Sequence, residues 1–159
     1  MEHRKLSLYL KAAGVIAALG GLFVFLVELP IMAQNCRVLY PNLSFLFWPM
    51  LIFVWVLGAL YASALWQYML ICHRIGQNRS FCRENEKSMF LIAKLFAAAS
   101  LLAFLGMGAW FWPGLPLYRG WAALLLVSMA SLAVGVLAWA LGKLLGRAAA
   151  LQEENDLTI

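Results

Sequence analysis

The chain alternates long apolar stretches with short segments that hold nearly all of its basic residues. Four stretches contain at least 20 residues each: 12–31, 47–71, 89–112 and 120–141. The only charges inside them are Glu28 and Lys94. A helix of 20 residues covers about 30 Å, the thickness of the hydrocarbon core of a bilayer. The pattern therefore predicts four membrane spans.

The stretches are continuously apolar and do not alternate at every second residue, as the strands of a membrane barrel would. We therefore predict an all-α fold, a four-helix transmembrane bundle forming a single domain. The third and fourth stretches are separated by the breaker-rich segment 113–117, Pro-Gly-Leu-Pro-Leu. So short a connection predicts an antiparallel hairpin of two helices in contact.

Basic residues predict the orientation of the spans, because cytoplasmic loops carry an excess of lysine and arginine. Nine of them fall before span one, between spans two and three, or after span four: Arg4, Lys5, Lys11, Arg74, Arg79, Arg83, Lys87, Lys143 and Arg147. The other two gaps hold only Arg37 and Arg119. We expect a multi-pass protein of the cytoplasmic membrane with both termini in the cytoplasm, short outer loops, and a last helix that extends into the cytoplasm.

Composition agrees with a membrane protein and excludes an ordinary soluble domain. The chain is 65% hydrophobic and only 12% charged, with a mean hydropathy of +0.85. Its net charge of +5 would suggest nucleic acid as a partner, but the positive-inside rule accounts for it, and no direct nucleic-acid binding is expected. The N-terminal segment loosely resembles a cleavable signal peptide, yet the large Ile31 occupies a position where a small residue is required.

Spacing of small residues predicts where helices approach each other closely. Three pairs are four residues apart: Ala17 and Gly21, Ser131 and Gly135, and Gly142 and Gly146. Such pairs allow close backbone contact within a membrane. Packing within the chain and formation of a homo-oligomer both account for them.

Residues that could carry chemistry are few. No acid–base pair, activated nucleophile or phosphate-binding loop can be assembled, and Cys72 and Cys82 lack the close spacing of zinc ligands. We expect no catalytic residue, metal or cofactor, and hence no enzyme.

The two charges inside the spans, Glu28 and Lys94, are candidate binding residues because charge in a bilayer is costly. For each there is also a simpler interpretation. Lys94 can extend to the cytoplasmic headgroups. Glu28, followed by helix-breaking Pro30, can face water at the outer interface.

Two cytoplasmic segments have a more specific character. The inner loop reaches Ser80-Phe81-Cys82-Arg83-Glu84-Asn85, where Ser80 is suited to cap the third helix. The C-terminal segment gathers carboxylates beside apolar residues. From these segments the candidate partner-binding residues are Phe81, Glu84, Asn85, Glu154, Asn155 and Asp156. Folding of the acidic tail onto the basic loop within one chain is an alternative use of the same charges.

Two segments resemble a family of bacterial four-helix membrane proteins, domain of unknown function 2975. They are residues 74–91, with the core Ser80-Phe81-x-x-Glu84-Asn85, and the terminal Glu-Glu-Asn-Asp-Leu-Thr-Ile. The resemblance implies the four-span topology but no established activity. Its members are often encoded beside a small helix-turn-helix regulator. It therefore implies a non-enzymatic membrane regulator or sensor with a cytosolic partner of that kind. The alternative to a regulator belongs to another functional class: a small transporter, efflux or immunity-type protein that binds a lipophilic ligand in the bundle.

Overall fold

The computed structural model describes residues 2–39, 41–77, 82–109 and 118–156, and these residues form helices almost throughout. Helix α1 spans Glu2–Phe23 and continues through a π-helical turn, Val24–Glu28, into α2, Leu29–Leu39. A 3₁₀ helix, Pro41–Leu46, leads into α3, Phe47–Gly76. The last two helices are α4, Arg83–Ala109, and α5, Tyr118–Asp156.

Four helical segments are long and apolar enough to cross a membrane: Ser7–Asn35, Ser44–Gly76, Arg83–Gly108 and Ala122–Gln152. The predicted all-α fold with four spans is thus confirmed. The described residues include no strand.

The helices pack in chain order. α1 lies against α3, α3 against α4, and α4 against α5, which share the largest interface. The predicted contact between the third and fourth spans is confirmed. Within the described residues, the backbones of α1 and α5 do not come into contact, so the bundle is open between its first and last helices. We call the end that holds Ser7 and Gly76 the terminal end, and the opposite end the distal end.

The first span continues as a helix through Pro30 and beyond residue 31, where the sequence predicted its end. The π-helical turn just before Pro30 widens the helix, and the chain then stays helical as far as Leu39. A proline ring clashes with the preceding turn of an α-helix and has no N–H to donate. A single wider turn is a known way to absorb such a defect. Much of the short outer loop expected after residue 31 is therefore helical.

Small residues do create the close contact between α4 and α5. A Cβ atom on Gly135 would lie 3.4 Å from the carbonyl oxygen of Ala93, and one on Gly142 would lie 3.3 Å from Cβ of Met89. The first pair predicted from sequence behaves differently. Gly21 has nothing within 4 Å of such an atom, and Ala17 is exposed. Only the two pairs on α5 are used for packing within the chain.

Candidate functional site

A polar cluster centred on Arg74 joins α3 to α4 at the terminal end. The Nη1 atom of Arg74 donates to Oγ of Ser88 at 2.9 Å, to Oδ1 of Asn85 at 3.4 Å and to the carbonyl oxygen of Glu84 at 3.3 Å. Asn85 is only 1% exposed. Hydrogen bonds from a charged donor are the stronger kind, and a buried amide needs them. We call Arg74, Asn85 and Ser88 the Arg74 cluster.

Helix α1 is held to α3 at the same end by two side chain to backbone hydrogen bonds. Oγ of Ser7 donates to the carbonyl oxygen of Cys72 at 2.7 Å. The hydroxyl of Tyr68 donates to the carbonyl oxygen of Leu10 at 3.1 Å. A Cβ atom on Gly76 would lie 2.7 Å from Oγ of Ser7. Glycine at this position therefore lets Ser7 approach the end of α3.

Hydroxyl groups link the helices again in the middle of the bundle. Ser100 on α4 and Ser128 on α5 are both buried, and each donates to the other's carbonyl oxygen, at 2.9 and 3.0 Å. Oγ of Ser131 donates to the carbonyl oxygen of Val127 at 2.7 Å and lies 2.5 Å from the hydroxyl of Tyr61. Because the single hydroxyl hydrogen of Ser131 is already used, Tyr61 is the donor of that second bond.

The open side of the bundle contains an apolar cavity of about 490 Å³. Its wall includes Val24, Phe25 and Leu29 from the first span and Tyr61 from α3, with Phe96 of α4 and one face of α5 completing it. The Tyr61 ring contacts both Phe25, at 6.2 Å between centroids, and Phe96, at 5.5 Å. Pockets that hold small molecules have volumes of about 300–1,000 Å³ and mostly apolar walls. The cavity is of that kind.

Glu28 and Lys94 lie on opposite sides of the middle of the bundle. Both are exposed. Lys94 is six residues before Ser100, or about 9 Å towards the terminal end. Phe25 packs against Gly58, near the middle of the apolar stretch of α3, so Glu28, three residues later, lies about 5 Å further towards the distal end. Their separation in depth prevents them from pairing.

The two charges also differ in how easily they reach water. Side chains lean towards the N-terminus of their helix, and both α1 and α4 run from the terminal to the distal end. Lys94 therefore leans towards the end it is nearer to, which favours contact with headgroups. Glu28 leans towards the middle of the bundle. If the centre of the apolar stretches coincides with the centre of a bilayer, whose hydrocarbon half-thickness is about 15 Å, Glu28 lies inside the hydrocarbon and not at the outer interface.

Helix α5 extends beyond the start of α4 at the terminal end. Gly146 packs against the carboxyl group of Glu86 in the first turn of α4, and α5 remains helical for ten more residues, to Asp156. Leu144 and Leu151 are 59% and 67% exposed. They are seven residues apart and thus share one side of the helix. The last turns of α5 therefore present an exposed apolar stripe, formed by Leu144 beside the start of α4 and Leu151 in the extension.

The residues predicted from sequence are placed as follows. Glu84 and Glu154 are exposed at the terminal end, whereas Asn85 is enclosed in the Arg74 cluster. Phe81 lies outside the described residues. Asn155 and Asp156 are described only as part of the helical backbone of α5.

Sequence reasoning missed the roles of Arg74, Ser88, Ser100, Ser128 and Tyr61. Arg74 was used as one of the basic residues that set orientation and as the first residue of the segment that resembles the family. The serines did carry a usable signal, because a hydroxyl in the middle of an apolar span needs a hydrogen-bond partner inside the protein. Which partner it finds depends on helix rotation.

Within the described part of the chain, no group of three or more His, Cys, Asp or Glu side chains is placed to hold a metal ion. Cys72 is buried and Cys82 is half-buried, both as free thiols. The groups that the described sites present are hydroxyls, carbonyls, carboxylates and apolar surface.

The fold and these sites define a four-span, all-helical membrane protein with an intramembrane cavity. Comparison with known proteins narrows the class. A family model described as "Protein of unknown function (DUF2975)" matches residues 31–159, and the chain belongs to this family. The resemblance noted in the sequence is thereby confirmed. The chain is also similar to the "Uncharacterized membrane protein YoaS" of Bacillus subtilis (strain 168), with 24% identity over 164 residues that cover 99% of each protein. No solved structure matches.

Proposed function

We propose that this protein is a non-enzymatic regulator or sensor of the bacterial cytoplasmic membrane that binds a cytosolic partner through the extension of α5. The observation that carries the proposal is the exposed stripe of Leu144 and Leu151 on a helix that continues past the start of α4. The apolar segment of α5, Ala122–Gln152, is longer than the roughly 20 residues that a span needs. Its last turns can therefore lie outside the membrane, where an apolar stripe on a helix is a common docking surface for another protein.

The orientation supports a cytosolic partner. Lys11, Arg74, Arg83, Lys143 and Arg147 all belong to segments at the terminal end of the bundle, and basic residues favour the cytoplasmic side. Both termini and the extension then face the cytoplasm. A small helix-turn-helix regulator, of the kind implied by the family resemblance, is the partner we propose.

Substitution of Leu151 by glutamate is expected to weaken capture of the partner at least tenfold. Burying a leucine is worth about 1.5–3 kcal/mol, and about 1.4 kcal/mol corresponds to a factor of ten in affinity. The first step is to read the neighbouring gene. If it encodes a small helix-turn-helix protein, the measurement is the amount of that protein that co-purifies with this chain after co-expression. Deletion of residues 151–159 should abolish capture.

The matched control is Gln152→Glu, which adds the same charge one residue further along, at another exposed position of the helix. It should retain capture within about twofold, since surface substitutions away from a contact have small effects. Full capture by the deletion variant would contradict the proposal.

A second candidate function is favoured by the cavity: a small transporter, efflux or immunity-type protein that binds a lipophilic ligand. We expect dodecan-1-ol to bind in the cavity and Ala130→Phe to reduce that binding at least tenfold, because Ala130 lines the cavity and the larger side chain fills it. The measurement is binding to nanodiscs that contain the protein, in excess of partition into protein-free nanodiscs.

The control for this experiment is Ala133→Phe, the same change at an exposed position of α5 that is not part of the cavity wall. This variant should bind the alcohol as the natural chain does. Equal losses in the two variants, or no binding above partition in the natural chain, would rule out the cavity as a ligand site.

A further inference from the structure

The π-helical turn beside the cavity leaves a backbone carbonyl without its helical donor, inside the first membrane-spanning segment. The N–H of Leu29 bonds to the carbonyl oxygen of Val24, in the wide register of the turn. With the same π-helical spacing, the N–H of residue 30 would donate to the carbonyl oxygen of Phe25. With α-helical spacing, it would donate to the carbonyl oxygen of Leu26. Residue 30 is proline and has no N–H. At least one of these two carbonyls therefore has no regular helical donor, which is costly in a hydrocarbon environment.

Glu28 adds a carboxylate to the same turn. Val24 lines the cavity, and Glu28 follows it by four residues, so it lies about one turn towards the distal end on the same side of the helix. Its neighbour Leu29 also lines the cavity. The side chain of Glu28 is exposed and leans towards the middle of the bundle. Glu28 is not part of the cavity wall itself, but the turn next to that wall thus combines hydrogen-bond acceptors of two kinds.

We propose that the cavity and this turn together bind a single-chain amphiphilic cation, a long-chain primary ammonium. Its alkyl chain occupies the apolar cavity, and its ammonium group donates hydrogen bonds to the Glu28 carboxylate and to the unsatisfied carbonyl of Phe25 or Leu26. An ammonium has three donors and no acceptor, which complements a group of acceptors. This inference rests on the second candidate function and specifies the ligand of that site.

The charge at the turn distinguishes this ligand from the lipids of the bilayer. The amine of a phospholipid such as phosphatidylethanolamine is attached to a phosphate. To reach Glu28, it would have to bring its phosphate below the headgroup level and next to a carboxylate. The first is unfavourable because charge in hydrocarbon is costly, and the second because the two negative charges repel. A single-chain ammonium brings only the complementary charge.

A second copy of the chain is a poorer partner for the same reason. Two copies that cross the membrane in the same direction have their Glu28 side chains at the same depth, where like charges repel. Lys94 of either copy lies on the other side of the middle of the bundle and does not reach that depth.

The test compares dodecylammonium with dodecan-1-ol, which share one chain and differ in the polar group. Binding is measured to the full-length protein in nanodiscs of phosphatidylcholine and phosphatidylglycerol, in excess of partition into protein-free nanodiscs. We expect the natural chain to bind the ammonium at least tenfold more tightly than the alcohol. Glu28→Gln should remove this preference by weakening ammonium binding at least tenfold.

Lys94→Gln is the matched control, since it removes an exposed charge from the other side of the bundle and should leave the preference for the ammonium unchanged.

Equal affinity for the two probes in the natural chain would overturn the proposal even if Glu28→Gln does not fold. Binding of the alcohol alone would retain the cavity as a site and refute the cationic ligand; binding of neither probe would refute both. Loss of ammonium binding when phosphatidylethanolamine is added to the nanodiscs would identify a lipid headgroup as the occupant instead. Formation of a dimer that depends on Glu28 would also overturn the proposed cationic ligand.

Discussion

Substitution of Asn85 by leucine is expected to lower the free energy of unfolding by about 3 kcal/mol. Asn85 is almost completely buried and accepts a hydrogen bond from Arg74. Leucine removes the acceptor and leaves a guanidinium group with fewer partners at a half-buried position. Hydrogen bonds to charged groups contribute about 1.5–3 kcal/mol, and the loss is greatest when a buried partner is left unsatisfied.

The free energy can be measured by SDS-induced unfolding in mixed micelles, followed by circular dichroism. Lys87→Leu is the control, because it introduces the same side chain at an exposed position two residues later in α4. We expect that control to change stability by less than about 0.5 kcal/mol. If the two variants unfolded alike, the Arg74 cluster would not be what stabilises the start of α4.

Substitution of Gly135 by leucine is expected to destabilise the α4–α5 interface by about 3 kcal/mol or to prevent the two helices from packing. A Cβ atom at this position would already lie 3.4 Å from the carbonyl oxygen of Ala93 and from Cβ of Phe96. The first of these is backbone, so the further atoms of leucine require the helices to separate. Overpacking typically costs about 1–3 kcal/mol, and more where the backbone must move.

Gly20→Leu provides the control with the identical chemical change. Nothing lies within 4 Å of a Cβ atom at Gly20, and glycine is a poorer helix former than leucine by about 1 kcal/mol. We expect this variant to be as stable as the natural chain or slightly more stable in the same SDS titration. A similar loss in both variants would show that close approach at Gly135 is not the cause.

The number of spans and the all-helical fold were predictable from the sequence because the bilayer is a strict solvent. Each apolar stretch has to satisfy its backbone internally and must be long enough to cross. The hairpin of α4 and α5 followed from the short connection at 113–117. These features could be predicted without knowing which residues contact each other in the folded protein.

Pro30 and Asn85 show where the sequence was a weaker guide. Proline is a helix breaker by its local chemistry, but one wide turn absorbs it, and the helix goes on to Leu39. Asn85 stands among charged residues, next to exposed Glu84, and looked like part of a binding surface. In the structure it is enclosed, because Arg74 on the preceding helix reaches it.

The candidate sites depended still more on packing. Tyr61, Ser131 and Phe25 are separated by up to about a hundred residues of sequence, and nothing in their local pattern indicates that they border one cavity. The exposure of Leu151 could be suspected from the sequence, but only the overlap of Gly146 with Glu86 shows that the extension of α5 begins where α4 ends.

What the sequence by itself determined is that this chain is a four-span helical membrane protein with its basic segments at one end, because hydrophobic length and charge distribution act on each segment independently. The tertiary structure decided which polar groups meet: Arg74 with Asn85 and Ser88, Ser100 with Ser128, and Tyr61 with Ser131. It also decided that the bundle stays open between α1 and α5 and that Glu28 lies one helical turn beyond Val24, which lines the resulting cavity. These features arise from the rotation and depth at which each helix packs against the next, and close contacts at residues such as Gly135 and Gly58 set both.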